Sequence, residues 1–519
     1  MRCIPKTEQK LLASCLFYQN STKDFMPNKT VTIVGAGLGS LATALRLSYK
    51  GYQVKIIEKQ DKAGGRLHIL KKDGFTFDVG PSFFSMSYEF HELFDSIGEP
   101  IPFELNELNP LYTVNIQGQD RVFQIYKDLD KLAAEFRGIE DDFETKVRKY
   151  LKGAKEIFHD TEYRVVKKNF DSIVGFLASM ATVPLKHAPK LFRTFWAELE
   201  RHFDSEEVKI IFSLVAFFLG ATPFNTPSVY NLLNYTELEH DGYWNVKGGM
   251  YKIVEGILPL LEKKGVEIIY NTEIVSAQYN KKELVSVTDQ NGEVYTSDLF
   301  VINADAAWFR GKFLNRPKFS EEKLDKLEWT LAPFTIYLGV KGKIDGIHHH
   351  NYFLGNNFRD YADTIFRSTV APEKPYYYVN VASKSNANCA PEGCENLFIL
   401  CPVPDLRVKP DWSDADHLVN EIIDDLGERV GYDIKNNILT QVVYTPEHWK
   451  DMFNLYKGSG LGLAHGLNQI GAFRPSNKDE ELNNLYYVGA STVPGTGLPI
   501  VVIGSKLVLE RIENEHPTV

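Results

Sequence analysis

The chain is poor in the features that would make it a disulfide-stapled, zinc-binding, membrane-spanning or nucleic-acid-binding protein. Its 519 residues include five cysteines, Cys3, Cys15, Cys389, Cys394 and Cys401. An odd, sparse set does not make a disulfide framework, and the C-x4-C-x6-C spacing of the last three lacks the paired C-x2-C of a zinc site. They read as structural thiols in a reducing compartment. The longest apolar run, Ile210 to Ala221, has twelve residues, short of the roughly twenty that a helix needs to cross a bilayer. Positive charge is in deficit, 58 Lys and Arg against 68 Asp and Glu, so the whole chain offers a nucleic acid no electrostatic support. No Ser-His-Asp or metal-ligand pattern is visible. The "HHH" of His348, His349 and His350 cannot aim three adjacent side chains at one ion and is assigned to an exposed loop or strand end. "LLASC", Leu11 to Cys15, imitates a lipoprotein box without its apolar lead-in. Residues 1–25 are read as a disordered extension ahead of Met26 or as the product of an upstream start.

What the chain has in quantity is aromatic and apolar surface, with 33 Phe and 26 Tyr in a composition that is 44% hydrophobic. This suits a large core or an apolar ligand. "VTIVGAGLGSLATALRLSYKGYQVKIIEK" from Val31 to Lys59 reads as strand, tight turn, helix and strand. Gly35 lets the chain turn and Gly37 lets the backbone approach a pyrophosphate, which the helix N-terminus attracts by its unpaired N–H groups and dipole. Ser40 takes the third glycine position of G-x-G-x-x-G, with Gly39 beside it. Glu58 ends the second strand, where a carboxylate takes both hydroxyls of an adenosine ribose and disfavours a 2′-phosphate. Lys59 follows it. Then "AGGRL", Ala63 to Leu67, supplies a second backbone approach at Gly64 and Gly65 and a guanidinium fork at Arg66.

A βαβ unit with a ribose acid and this doublet resembles the FAD-binding glycine-doublet oxidoreductases. "FDVGPSFFSM" (Phe77 to Met86), "GYWNVKGGMYKIVEGI" (Gly242 to Ile257), "NTEIV" (Asn271 to Val275), "VINADAAW" (Val301 to Trp308) and "VGASTVPGTGLPIVV" (Val488 to Val502) narrow the resemblance to bacterial-type phytoene desaturases and carotenoid 3,4-desaturases. Where many FAD enzymes of this type carry Gly-Asp, this chain has Gly489-Ala490, a pair that the phytoene desaturases and their relatives share. The resemblance implies that FAD is bound by Gly35, Gly37, Gly39, Ser40, Glu58, Lys59, Gly65 and Arg66 at the ADP end and by the main chain of Ile274 at the adenine. Gly80 and Pro81 then flank the flavin ring, Asp305 belongs to a strand end beside the cofactor, and Gly489, Ala490, Gly497, Leu498 and Pro499 lie along the ribityl chain and pyrimidine.

The expected architecture is α/β, with a Rossmann-type FAD-binding domain (26–105, 242–310, 480–519) interleaved with a mixed-sheet substrate domain (311–479). Residues 106–241 supply a helical insert and further substrate domain, the insert facing a membrane. Residues 144–201 carry 12 Lys and Arg against 7 Asp and Glu among apolar pieces, a composition that suits an anionic bilayer as well as an ordinary solvated face. The resemblance favours peripheral membrane attachment of a cytoplasmic enzyme. The implied reaction is desaturation of a C40 polyene, with oxygen or a quinone as final electron acceptor. The later-pathway 3,4-desaturation of a 1-hydroxycarotenoid or γ-carotene is preferred over phytoene desaturation. A carotenoid isomerase or saturase, an amine oxidase and a non-enzymatic prenyl-protein binder share the fold and stand as alternatives. No catalytic residue is assigned; Lys155, Glu156, Glu237 and His240 are candidate proton acceptors, each with solvated surface charge as the plainer reading.

Overall fold

A computed structural model describes residues 29–516; the expected N-terminal extension lies outside the described residues. The first domain is organised by a five-stranded parallel sheet. Strand β1 (Thr30–Val34) leads through a turn into helix α1 (Leu38–Tyr49) and back along β2 (Gln53–Ile57). Strands β3 (Glu267–Ile269), β4 (Leu299–Ile302) and β5 (Leu485–Tyr487) complete it in the order β5-β4-β1-β2-β3. All four pairings are parallel, with Val31 opposite both Leu299 and Val54. Parallel strands covered on both faces need apolar side chains in each direction. In β4, Leu299 and Val301 join the core shared with α1 and the C-terminal helix α2 (Leu498–Glu515). Phe300 and Ile302 join the opposite core with Phe309 and Phe313.

The second domain is a seven-stranded mixed sheet in the spatial order 438–444, 332–341, 394–403, 377–380, 350–354, 112–116 and 122–125. Alternation again sorts its faces. Phe334, Ile336 and Leu338 pack with Leu418, Ile422 and Leu426 of helix Ala415–Val430. Tyr337, Tyr352, Tyr378 and Phe398 point the other way, into an aromatic core shared with the helical insert. The strands at 112–125 join this sheet, so the helices of the insert begin with Leu129–Glu135. The insert closes over the sheet with Val147, Tyr150, Phe203 and Phe212. It contains two five-residue π-helical turns, Glu162–Val166 and Thr236–His240.

One sequence expectation is corrected here. His350 is not at an exposed strand end: it opens the strand His350–Leu354, is buried, and stacks on Phe83 at 4.0 Å between ring centroids. Its strand pairs on both sides, which carries the ring inward.

The two domains are tied by side chains that reach across. The Tyr337 hydroxyl donates to the Val79 carbonyl at 2.6 Å, and Asn396 Nδ2 donates to the Thr76 carbonyl at 2.7 Å. Replacing Tyr337 with Phe strands a buried carbonyl at the domain junction, so stability should fall by about 1–3 kcal/mol. Thermal unfolding of the holoprotein reads this as a lowered midpoint; an unchanged midpoint would show that the junction does not need the bond.

Candidate functional site

The carboxyl ends of β1, β2 and β4 meet the 63–66 turn at one end of a cavity of about 750 Å³. Gly35 has φ +92°, and an added Cβ would sit 3.0 Å from the Asn303 carbonyl oxygen. The 63–66 turn folds back onto the first turn: Gly64 N–H donates to the Ala36 carbonyl at 2.7 Å, and a Cβ on Gly65 would come within 3.1 Å of Gly37 Cα. Backbone therefore faces backbone, and Asn303 fills the remaining space, donating from Nδ2 to the Val488 carbonyl at 2.7 Å.

Helix α1 starts at this point with Gly37 as N-cap and without a side-chain cap hydrogen bond. Its first N–H groups and positive dipole end face the cavity, an arrangement that takes a phosphate. Glu58 is buried in the wall, accepting from Ala36 N–H at 2.5 Å and Gln60 N–H at 2.8 Å. Burial pushes its pKa up, against those backbone donors and Lys59. Two lone-pair positions of the carboxylate remain for hydroxyl donors. At the other end of the cradle, α2 begins at Leu498 behind Gly497, which has φ +119° and makes no side-chain cap. Two helix N-termini thus open into one chamber.

Of the residues named from the sequence, Gly35, Gly37, Gly39, Glu58, Lys59, Gly65 and Arg66 line this cavity. So do Gly80, Pro81, Ile274 and Asp305, and Gly489, Ala490, Gly497, Leu498 and Pro499. Ser40 does not; it is buried inside α1. The side chains of Lys59 and Arg66 are already engaged across the domain junction. Lys59 Nζ donates to the Asp451 carbonyl at 2.8 Å, and Arg66 Nη1 to the Gly460 carbonyl at 2.7 Å. Burial lowers the Arg66 pKa and Asp305 pulls it back up, so the guanidinium feels the 303–305 strand end. Asp305 accepts from Ser491 Oγ at 2.9 Å and from Trp308 N–H at 3.1 Å.

Sequence reading passed over two groups at this site. Arg474 is buried and donates to five carbonyls, those of Leu463, Ala464, Gln469, Ala490 and Thr492. Burial lowers its pKa to about 10. It thereby fixes the Gly489-Ala490 loop through the main chain. The second group is the hydroxyl cluster beside Gly80 and Pro81: Tyr378 OH lies 2.9 Å from Ser82 Oγ and 2.5 Å from His350 Nδ1, while His350 Nε2 is buried without a hydrogen-bond partner. Burial drives the pKa of His350 well down, so the ring is neutral. Beyond this cluster the cavity continues between Tyr352 and Phe398 of the sheet, Phe358 and Tyr376 beside it, and Leu214, Leu232 and Leu233 of the insert.

A profile for "Flavin containing amine oxidoreductase" matches residues 41–502. The chain belongs to that family. It is 32% identical to a zeta-carotene-forming phytoene desaturase of Myxococcus xanthus over 93% of this chain and 94% of that one. It is 28% identical to a carotenoid 3,4-desaturase of Haloarcula japonica, covering 94% and 98%. A putrescine oxidase bound to putrescine superposes with a TM-score of 0.60 at 14% identity, covering 93% of this chain and 99% of that one. Family members are FAD-dependent oxidoreductases, and this chain is one: two uncapped helix N-termini, a buried acid at the end of β2 and a side-chain-free turn contact fit an extended dinucleotide.

Glu58→Ala should weaken FAD binding by about 1.5–3 kcal/mol, the scale of hydrogen bonds to a charged acceptor. Fluorescence titration of the apoprotein checks this, and equal affinity in the variant would remove Glu58 from the ribose site.

Proposed function

We propose that this enzyme desaturates an acyclic C40 carotenoid, a reaction for which bound FAD would supply the hydride acceptor while the neighbouring carbon loses a proton. The observation that carries the reading is the single cavity, which runs from the dinucleotide cradle past Gly80 and Pro81 into a chamber walled by aromatic and aliphatic side chains. A polyene offers no charged handle, so shape and apolar contact do the positioning, and exclusion of water protects the reacting carbons. Gly35, Gly37, Glu58 and Gly65 bind the ADP half, and Gly80, Pro81, Gly489, Gly497, Leu498 and Pro499 border the flavin. An amine oxidase of this fold would need a polar pocket for its amine; the chamber beyond Gly80 is predominantly apolar. Oxygen or a quinone would serve as the final electron acceptor.

The preferred reaction is 3,4-desaturation at an acyclic end, with a 1-hydroxycarotenoid or γ-carotene as substrate. In a 1-hydroxy end group the oxygen lies within a few bonds of the C3–C4 bond, so its polar partner has to sit close to the flavin. The Ser82, Tyr378 and His350 cluster next to Gly80 and Pro81 has the chemistry and position for that role. A site built to hydrogen-bond a hydroxyl discriminates against the analogue lacking it more strongly than an apolar wall does.

The insert supplies the route by which such a substrate arrives. Val174, Leu185 and Phe192 are 76%, 85% and 87% exposed, with Tyr163, Ile173 and Leu177 exposed around them. The same segment lines the cavity through Val165, Val166, Phe170, Met180 and Leu191. Its cations are largely paired, Lys167 with Glu89 and Glu162, Lys186 with Glu156, and Lys190 and Arg193 with Glu198. We therefore attribute peripheral docking on a membrane chiefly to the apolar side chains. Among the described residues no helix is long and apolar enough to cross a membrane.

Two measurements test these readings. Expression in bacteria that accumulate phytoene, γ-carotene or a 1-hydroxycarotenoid should give a red-shifted pigment from one of the latter two. Lycopene from phytoene would move the assignment to phytoene desaturation, and three unchanged pigments would remove the desaturase reading. In sedimentation with phosphatidylglycerol vesicles, the wild type should pellet and a Leu185→Asp, Phe192→Asp double variant should stay in the supernatant; equal partition of the two would sink the docking surface.

A further inference from the structure

Removal of a hydride and a proton from adjacent carbons leaves one proton to be placed inside an apolar chamber. The four acidic or basic side chains considered from the sequence separate cleanly. Lys155 is exposed and pairs with Glu239 at 3.0 Å; Glu156 pairs with Lys186 at 2.8 Å; His240 is exposed and stacked on Tyr235. Only Glu237 turns inward. It is 2% exposed, on the π-helical turn Thr236–His240, a local geometry that recurs at functional sites. Asn234 Nδ2 donates to its Oε2 at 3.3 Å, and Oε1 is buried without a hydrogen-bond partner. A carboxyl kept from water with an unsatisfied oxygen is costly, and a purely structural role would be served by a neutral amide.

The groups that face Glu237 are hydroxyls and an amide. Tyr112, from the strand 112–116, approaches the carboxyl, and its ring packs edge-on to Tyr352 at 5.4 Å and lies 6.3 Å from Tyr243. Tyr150, from the helix Phe143–Thr161, donates to Asn234 Oδ1 at 2.7 Å, which orients the amide toward Glu237. Tyr243 and Tyr352 line the cavity and feel the Glu237 charge. No lysine, arginine or histidine figures among the groups that shift Glu237. Burial raises the carboxyl to about 7, with Tyr112 and Asn234 holding it down. At neutral pH it is therefore divided between acid and carboxylate, the condition in which a proton acceptor works best.

We infer that Glu237 is the terminal acceptor of the proton released in desaturation, reached from the substrate through the tyrosine hydroxyls that separate it from the cavity. The inference rests on the desaturase reading above. One C–H bond breaks with its electron pair, which leaves as hydride to the FAD of that reaction. The neighbouring C–H bond then breaks, and its electron pair becomes the second bond of the new C=C. The freed proton goes to a wall tyrosine oxygen as that hydroxyl passes its own proton on, and the Glu237 carboxylate ends as the acid. The same negative charge, facing a chamber that excludes water, opposes the positive charge that hydride loss creates on the substrate. Glu237 acts through Tyr112, Tyr243 and Tyr352 and is accordingly a positioning and relay group.

The test compares FAD-loaded wild type, Glu237→Gln and Glu237→Asp on the polyene that the wild type converts, from pH 5.5 to 8.5, with a parallel infrared titration of the carboxyl bands. The wild-type rate should rise with pH through about 7, as the carboxylate forms. Glu237→Gln should bind FAD normally, turn over on the order of 10²-fold more slowly and lose that limb, and Glu237→Asp should recover it. In the infrared, wild type should show a carboxyl band that disappears through the same range and is missing from Glu237→Gln. A glutamine variant with wild-type rate, or with the same pH midpoint at reduced rate, overturns the inference. If the wild type converts no polyene, the desaturase reading falls, and the infrared titration still judges Glu237: a carboxyl titrating at its ordinary value overturns its assignment.

Discussion

Two peptide turns touching with no side chain between them set the geometry on which the rest of the cavity depends. The Gly35 to Gly37 turn and the Gly64-Gly65 turn belong to consecutive pieces of chain, yet their contact is as close as a tertiary one becomes. Gly64 φ is +120°, and a Cβ there would meet the Leu67 carbonyl at 2.1 Å. Asn303 locks the pair from the third side, since a Cβ on Gly37 would collide with its Oδ1 at 2.4 Å. Because Asn303 also holds the Val488 carbonyl, the same contact aligns the loop that leads into α2. A cradle made of main chain presents N–H groups and no bulk, which suits a ligand that is long, thin and anionic at its middle.

Those parts of the site that depend on local pattern were legible in the sequence. The β1-α1-β2 unit, the acid at Glu58 and the 63–66 doublet lie within forty residues and announce their backbone requirements by residue type. Ser40 marks the limit of motif reading, for its position in the motif concerns packing and its side chain stays inside α1. Arg66 has the residue type for an anion, but the structure gives one of its donors to Gly460, a partner almost four hundred residues away. His350 was assigned to the surface and Arg474 was missed for the same reason. A run of three histidines reads as polar until strands from residues 112–116 and 377–380 flank it, and a lone arginine gives no sign that five carbonyls will converge on it.

Charge in the insert teaches a related lesson. Counting residues 144–201 gives an excess of five positive charges, but folding brings Glu89, from outside that window, against Lys167. That pair is largely shielded from solvent, and its effect is to mute the field that the insert presents outward. Val174, Leu185 and Phe192 are then the more distinctive part of that surface, and they are short-range in their action. Burial of a large apolar side chain is worth about 1.5–3 kcal/mol, so a few such contacts would suffice for the reversible membrane docking proposed above.

The interleaving of the two domains bears on how the polypeptide is made. Strand β1 has neighbours at residues 53–57 and 299–302, and β4 acquires its outer partner only at 485–487. Helix α2, which packs on α1, is later still. A ribosome delivering this chain from its amino end therefore presents a half-built nucleotide fold, with part of the apolar face of α1 uncovered, until residues 498–515 have been made. Contacts of such sequence separation form slowly and leave sticky intermediates. Chaperone supply and slow, cool expression should thus govern the yield of active protein more than any single side chain in the cavity.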